Sequence, residues 1–342
     1  MYSESDIDGA VVAGALTAEA AAAFRQHVAA SHAAPAVDEE HFRLLTGFND
    51  IFVSIAIALL LVAVAQIGGS VTRPLGGIAV AGAAWGLAEY FTARRRMALP
   101  SILLLLAFVG GAVAAVLGAV ALIAPDLGKA GGALAMAGAA LTGAAAAGVH
   151  WRRFMVPITI AAGALALVAT LAGLAMAAFP GLAENFYVPL LIGGLVVFVV
   201  AMRWDLSDRD RVTRRADVAF WLHLVAAPLI AHAMFNLLGV FGKEIGVGIA
   251  VVVLALYVAF GFVAIAIDRR ALLVSSLAYV LYAMYALFRS AGAIELSAAF
   301  TAFVIGSALL TLSAFWHPIR RHVVALLGAW GERLPPVQTA GA

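Results

Sequence analysis

The residues best suited to chemistry lie in one stretch, RWDLSDRDRVTRRADVAFWLHLVAAPLIAHAMFNLLGV, residues 203–240. A charged run opens it, and the apolar segment that follows holds His223, His232 and Asn236 around Pro228. Polar groups in hydrocarbon are costly and usually face a bundle interior or a cavity. An imidazole changes charge near neutral pH, so two of them inside one apolar segment point to a proton-sensitive or substrate-contacting site. Nine residues of ideal helix place His223 and His232 about 180° and about 13 Å apart, too far to ligate one metal ion or one haem. Pro228 removes a backbone hydrogen bond between them, and a kink there would change that angle. His232 and Asn236 stand four residues apart and share a face. The competing reading is structural: each histidine bonds a neighbouring helix and acts as modest interhelical glue.

Glu89, in WGLAEYFTARRR, is the carboxylate to weigh beside them. Pointing inward at the depth of His223, it would make a Glu–His proton pair. Otherwise it pairs with Arg94 or Arg96 or reaches out to the interface. Asp50 and Asp217 open apolar segments and read as helix N-caps. Tyr279, Tyr282 and Tyr285 form a stripe that is either packed core or the lining of a cavity. Gly82 and Gly86, with Gly138, Gly143 and Gly148, are small-residue patterns that let helices approach closely.

Several classes of chemistry are missing. The chain has no cysteine, hence no disulfide, thiolate metal site or cysteine nucleophile. It has no phosphate loop, no H-E-x-x-H and no G-x-S-x-G. No nucleophile and base stand together, so no enzyme activity, cofactor or metal is expected. Asp205, Asp208 and Asp210 interleave with the arginines of 203–215, which argues against nucleic acid and for a self-paired surface or an anionic-lipid contact.

The elements that must position these residues follow from composition. Of 342 residues, 64% are hydrophobic and 12% charged, with a mean hydropathy of +1.04. Soluble domains carry about 25% charged residues, so lipid is the solvent for most of this chain. Ten apolar segments stand at 49–67, 75–92, 100–123, 130–149, 155–178, 186–202, 218–240, 245–267, 271–289 and 294–316. Each has roughly the length that crosses a bilayer as a helix. They are far too long for barrel strands. The fourth, rich in Ala and Gly, is the least hydrophobic and depends on its neighbours.

Residues 1–47 precede the segments as a short helical cytosolic part, with a helix over LTAEAAAAFRQHVAA capped by Thr17 and a shorter one from Ile7 to Ala15, with Gly14 near the break. Nothing in it reads as a cleavable signal peptide. After the tenth segment, 318–342 form a tail. There Val323, Val324, Leu326, Leu327 and Trp330 oppose Arg320, Arg321, His322 and Arg333 in a short interfacial helix, ahead of a disordered PVQTAGA.

Orientation comes from the basic residues. Counting both terminal parts and the even-numbered loops gives seventeen of the 21: Arg25, Arg43, Arg94–Arg96, Arg152, Arg153, Arg203, Arg209, Arg211, Arg214, Arg215, Arg269, Arg270, Arg320, Arg321 and Arg333. The odd-numbered loops hold Arg73, Lys129, Lys243 and Arg289, one each. The positive-inside rule then places both termini in the cytoplasm. Trp151, Trp204, Trp221, Trp316 and Trp330 fall near the same side, as an interfacial belt would. The layout is five hairpins with short outer turns. RRMALPS, RRFMVPIT and RRALLVSS recur after hairpins, either as traces of duplication or as the rhythm the charge rule alone imposes.

DEEHFRLLTGFNDIF (38–52) and DVAFWLHLVAAPLIAHAMF (217–235) resemble phrases of uncharacterised bacterial multi-pass inner-membrane proteins with an N-terminal helical part. That resemblance implies an inner-membrane protein with a short cytosolic head, and no activity to carry over.

The expected fold is an all-α, ten-span membrane bundle. The leading functional expectation is a secondary transporter or permease for a small solute or proton, with the seventh span lining the path. The alternative is a non-catalytic scaffold or sensor acting through its cytoplasmic head and arginine loops. The bilayer is the expected partner. The small-residue faces serve internal packing or a homo-oligomer equally well.

Overall fold

A computed structural model describes residues 4–31, 48–183, 185–209, 211, 213–240, 246–290 and 296–336. Among these, every regular element is helical. The sequence-stretches at 32–47 and 337–342, with Glu184, Asp210, Lys243, Glu244 and Glu295, lie outside the described residues, and so does most of the 38–52 phrase.

Residues 4–31 belong to one compact unit and 48–336 to another. The first holds α1 (Glu4–Val12) and α2 (Ala18–Ser31). Thr17 caps α2 as its sequence predicts, accepting a hydrogen bond from the Ala20 N–H at 3.1 Å. Gly14 turns the chain between the two at a left-handed φ of 72°.

The second unit contains α3 (Phe48–Val71), α4 (Arg73–Ala88), α5 (Ala98–Ile123), α6 (Lys129–Phe154), α7 (Ile158–Ala178), α8 (Tyr187–Leu206), α9 (Arg214–Leu237), α10 (Val247–Ile267), α11 (Ala271–Ser290), α12 (Ser297–Ala314) and α13 (Trp316–Leu326). Each of the ten apolar segments has become a helix. Nine of these described helices are long and apolar enough to cross a membrane, and the chain is a multi-pass integral membrane protein. The exception is α4, with sixteen residues of α-helix. It runs on into six residues of π-helix, Glu89–Arg94.

α9 sits at the centre. In its most apolar eighteen-residue window 56% is buried, against 17–39% in the other crossing helices. It packs on α7, α8 and α11, and the largest hydrophobic cluster, with Leu222, Ala226, Ile230 and Phe235, forms around it. A separate cluster joins α3, α4 and α5 through Ile57, Leu61, Ala84 and Leu104. The helix continues unbroken through Pro228.

The most extensive packing falls within α4–α5, α6–α7 and α8–α9. These pairs are joined by arginine-bearing loops, not by the outer turns that the hairpin layout stresses. Four non-glycine residues adopt left-handed backbone in the described chain: Arg96, Met155, Arg211 and Asp268. One lies in each of the four arginine loops, so the repeated joints share this backbone feature as well as their charge.

Close helix approach uses other glycines than the expected ones. A Cβ at Gly82, Gly86, Gly138 or Gly148 would meet nothing within 4 Å, and at Gly143 it would meet the Val113 side chain. The tight crossing is α4 on α5, where a Cβ at Gly77 would lie 2.4 Å from the Ala115 nitrogen. The tail also differs from its expected polarity. Trp316, Arg320 and Val323, spaced one turn apart, form the docked face of α13, so Arg320 is fully buried and not on the polar side.

Candidate functional site

The loop between α8 and α9 builds the site. Asp208 lies in this loop, and its Oδ2 accepts from the Thr213 N–H at 3.0 Å, the Thr213 hydroxyl at 2.7 Å and the Ala216 N–H at 3.2 Å. Thr213 is the N-cap of α9, accepting from the Arg215 N–H at 3.2 Å. Capping therefore belongs to Thr213 and Asp208, and Asp217 stands inside the first turn. These bonds fix where α9 starts, and hence how far along it His223 lies from the loop.

His223 is 3% exposed, and its Nε2 lies 2.9 Å from Asp205 Oδ2. Asp205, on the last turn of α8, is itself 1% exposed. Arg269, between α10 and α11, donates to both of its oxygens, from Nη2 to Oδ1 at 2.6 Å and from Nε to Oδ2 at 3.2 Å. The same Nη2 reaches the Ala216 carbonyl at 3.3 Å. A bidentate fork of this kind is the strongest protein hydrogen-bonding arrangement for a carboxylate. The Asp205–His223–Arg269 group ties the arginine-bearing ends of α8, α9 and α11 together.

A second group adjoins it in sequence. α10 ends with Asp268 at φ 58°, where the Arg269 N–H bonds back to the Ala264 carbonyl at 2.8 Å. Glycine is usual at that left-handed position. An aspartate there carries a backbone cost of order 1–3 kcal/mol, and its carboxylate is what it offers in return. Oδ2 accepts from Arg211 at 2.9 Å, and Oδ1 from the Trp316 indole at 2.7 Å. Arg320 Nε stands 3.7 Å from Oδ1. Arg211 is also left-handed, so two strained residues hold each other. Arg320 then donates to the carbonyls of Pro335 at 2.7 Å and Pro336 at 3.1 Å, and Arg209 to those of Leu334 and Glu332. The final described residues are strapped to the bundle in this way. A cleft of about 420 Å³ opens beside the strap, but its one basic side chain, Arg209, is already engaged with the strap's carbonyls.

The other sequence candidates fall apart from this centre. His232 is exposed, with Nδ1 2.5 Å from the Tyr279 hydroxyl and its ring edge-on to Tyr187. Asn236 shares its face as expected, donating to the His232 carbonyl at 2.8 Å. His223 and His232 thus meet different partners. Glu89 pairs with neither histidine, nor with Arg94 or Arg96: Arg153 of α6 grips both its oxygens at 2.9 and 2.6 Å. Tyr279 packs inward on Phe235 with stacked rings.

Reasoning from sequence missed Asp205, Arg269, Asp268, Arg211 and Trp316 as one cluster. It also passed over His150, fully buried among Trp85, Phe108 and Phe154 with Nδ1 3.2 Å from the Thr159 hydroxyl. The available signal was Asp-Arg-Arg at 268–270 facing the Asp- and Arg-rich 203–215 across one end of the bundle.

An Asp–His pair can orient a general base, but here Arg269 neutralises the carboxylate and both side chains are sealed from solvent. Among the described residues, no three His, Asp or Glu side chains converge as metal ligands do. No protein-family model matches the chain, and no match was found among the curated proteins or the solved structures.

Proposed function

We propose that this chain is a non-catalytic scaffold or sensor of the bacterial inner membrane. It crosses the bilayer ten times with both termini in the cytoplasm, and works through its cytoplasmic face and N-terminal head. The reading of ten crossings draws on the unbroken helical run Arg73–Arg94 and on the seventeen-to-four division of basic residues. The observation that carries the functional reading is the dry Asp205–His223–Arg269 group. A solute path along the cytoplasmic half of α9 needs these side chains wet or free to exchange partners. Each instead bonds within the group, and Arg269 also reaches the Ala216 carbonyl.

A second reading, a permease for a small solute, is favoured by one observation. The exposed His232 and the half-buried Asn236 keep a polar face on the other half of α9. In that case the buried ion pairs would form a closed gate.

Proteoliposomes separate the two. With an imposed pH gradient and a panel of sugars, amino acids and organic acids, vesicles holding the full-length protein should hold the gradient as long as protein-free vesicles do. A solute that collapses the gradient only when the protein is present overturns the scaffold reading.

A further inference from the structure

One face of α9 stays uncovered by the bundle. Leu224, Pro228 and His232 are exposed on it and Asn236 is half-buried, each four residues from the next. α9 is long and apolar enough to cross the membrane, so the medium along this face offers few hydrogen-bond partners. Two polar atoms on it are unspent. Asn236 Nδ2 lies 2.8 Å from the His232 carbonyl, which can only accept, so the amide nitrogen must face it and Oδ1 is left over. The same Nδ2 lies 3.2 Å from His232 Nδ1, against 3.5 Å from Nε2. Nδ1 is therefore the accepting ring nitrogen, shared with the Tyr279 hydroxyl, and Nε2 carries the hydrogen. Among the described residues, Nε2–H meets no acceptor and Asn236 Oδ1 meets no donor. These bonds also draw the amide back toward His232, so it lies beside the imidazole at the same depth in the membrane.

We propose that this face binds a second copy of the chain, with two α9 helices meeting in parallel about a two-fold axis along the membrane normal. Copies inserted in the same direction share that axis, and like residues then meet at like depth. The unspent donor and the unspent acceptor lie at one depth on one face, so the face is complementary to itself. The His232 Nε2–H of each copy donates to the Asn236 Oδ1 of the other, and the two bonds are equivalent. Histidine and asparagine are among the side chains that join helices across a membrane. Leu224 and Pro228 continue the contact as an apolar surface on the same side of the helix.

The test labels the full-length protein at Leu326→Cys, an exposed site on α13, and follows energy transfer between copies in liposomes as the protein is diluted with lipid. With the α9 face intact, transfer is expected to fall reversibly on dilution and to yield a dissociation constant. Asn236→Leu removes both bonds and should raise that constant about eightfold, from the typical strength of two hydrogen bonds between membrane helices. His232→Leu should do the same. It also removes the Tyr279 bond, so if that variant fails to fold, Asn236→Leu decides alone. As single cysteines, Leu224→Cys should link two copies through a short bifunctional thiol reagent, and Leu310→Cys, exposed on α12, should not. Copies that stay monomeric at every density overturn the proposal. So does a dissociation constant unchanged by Asn236→Leu, or linkage through Leu310→Cys in place of Leu224→Cys.

Discussion

Arg269→Ala is expected to cost the protein about 3–5 kcal/mol of stability, the range for removing one partner of a buried ion pair. The reason is the charge left behind. Asp205 is 1% exposed, and without Arg269 its carboxylate has His223 as its one remaining partner in the group. Arg269→Lys keeps the charge but loses the two-pronged fork, and should fall between alanine and wild type. Replacing both partners, as Asp205→Leu with Arg269→Met, should recover much of the loss, because it leaves no uncompensated charge. Thermal unfolding in a fixed detergent reads all four proteins. A loss under about 1 kcal/mol for Arg269→Ala, as for an exposed pair, would show that water reaches the group.

Gly77→Ala should be the most damaging single-methyl change in the bundle, at about 1–3 kcal/mol or more. The added carbon would sit 2.4 Å from the Ala115 nitrogen and 2.6 Å from the Gly111 carbonyl oxygen. Both are backbone atoms, so no side chain can rotate away and α4 must move off α5. Gly86→Ala in the same helical run is the control. It meets nothing within 4 Å and should be neutral or slightly stabilising, since alanine is the better helix former. The same unfolding assay compares them.

These two predictions mark where the sequence was informative and where it was not. Apolar length alone located the nine described helices that are fit to cross a membrane, because backbone groups in lipid must be satisfied within a helix. It also singled out α9, whose histidines and asparagine are costly to place in hydrocarbon unless the helix is enclosed. Partners were not legible. His223 meets Asp205, eighteen positions away, and Asp205 meets Arg269, sixty-four positions away, and nothing in local spacing encodes such contacts. The arginines of 203–215 and 269–270 were read by number, as a topology signal. Number does not separate Arg214, left exposed, from Arg211, drawn in by Asp268. Glycine patterns failed for a related reason. Spacing shows that a helix has a smooth face, but the crossing point decides which glycine is pressed, and here that is Gly77 and not Gly82 or Gly86.

A scaffold built on the buried Asp205–His223–Arg269 group requires the half of α9 bearing His223 to be dry. Because the chain has no cysteine, single cysteines at Ala219, Leu222, Ala226 and Ile230 can be placed in the native background. Each is then exposed to a membrane-impermeant thiol reagent in intact cells and in inverted vesicles. Protection at all four positions from both sides is the predicted result. Labelling of this face from inverted vesicles would mean that water passes the Asp205–His223–Arg269 group, and would contradict the account at its centre.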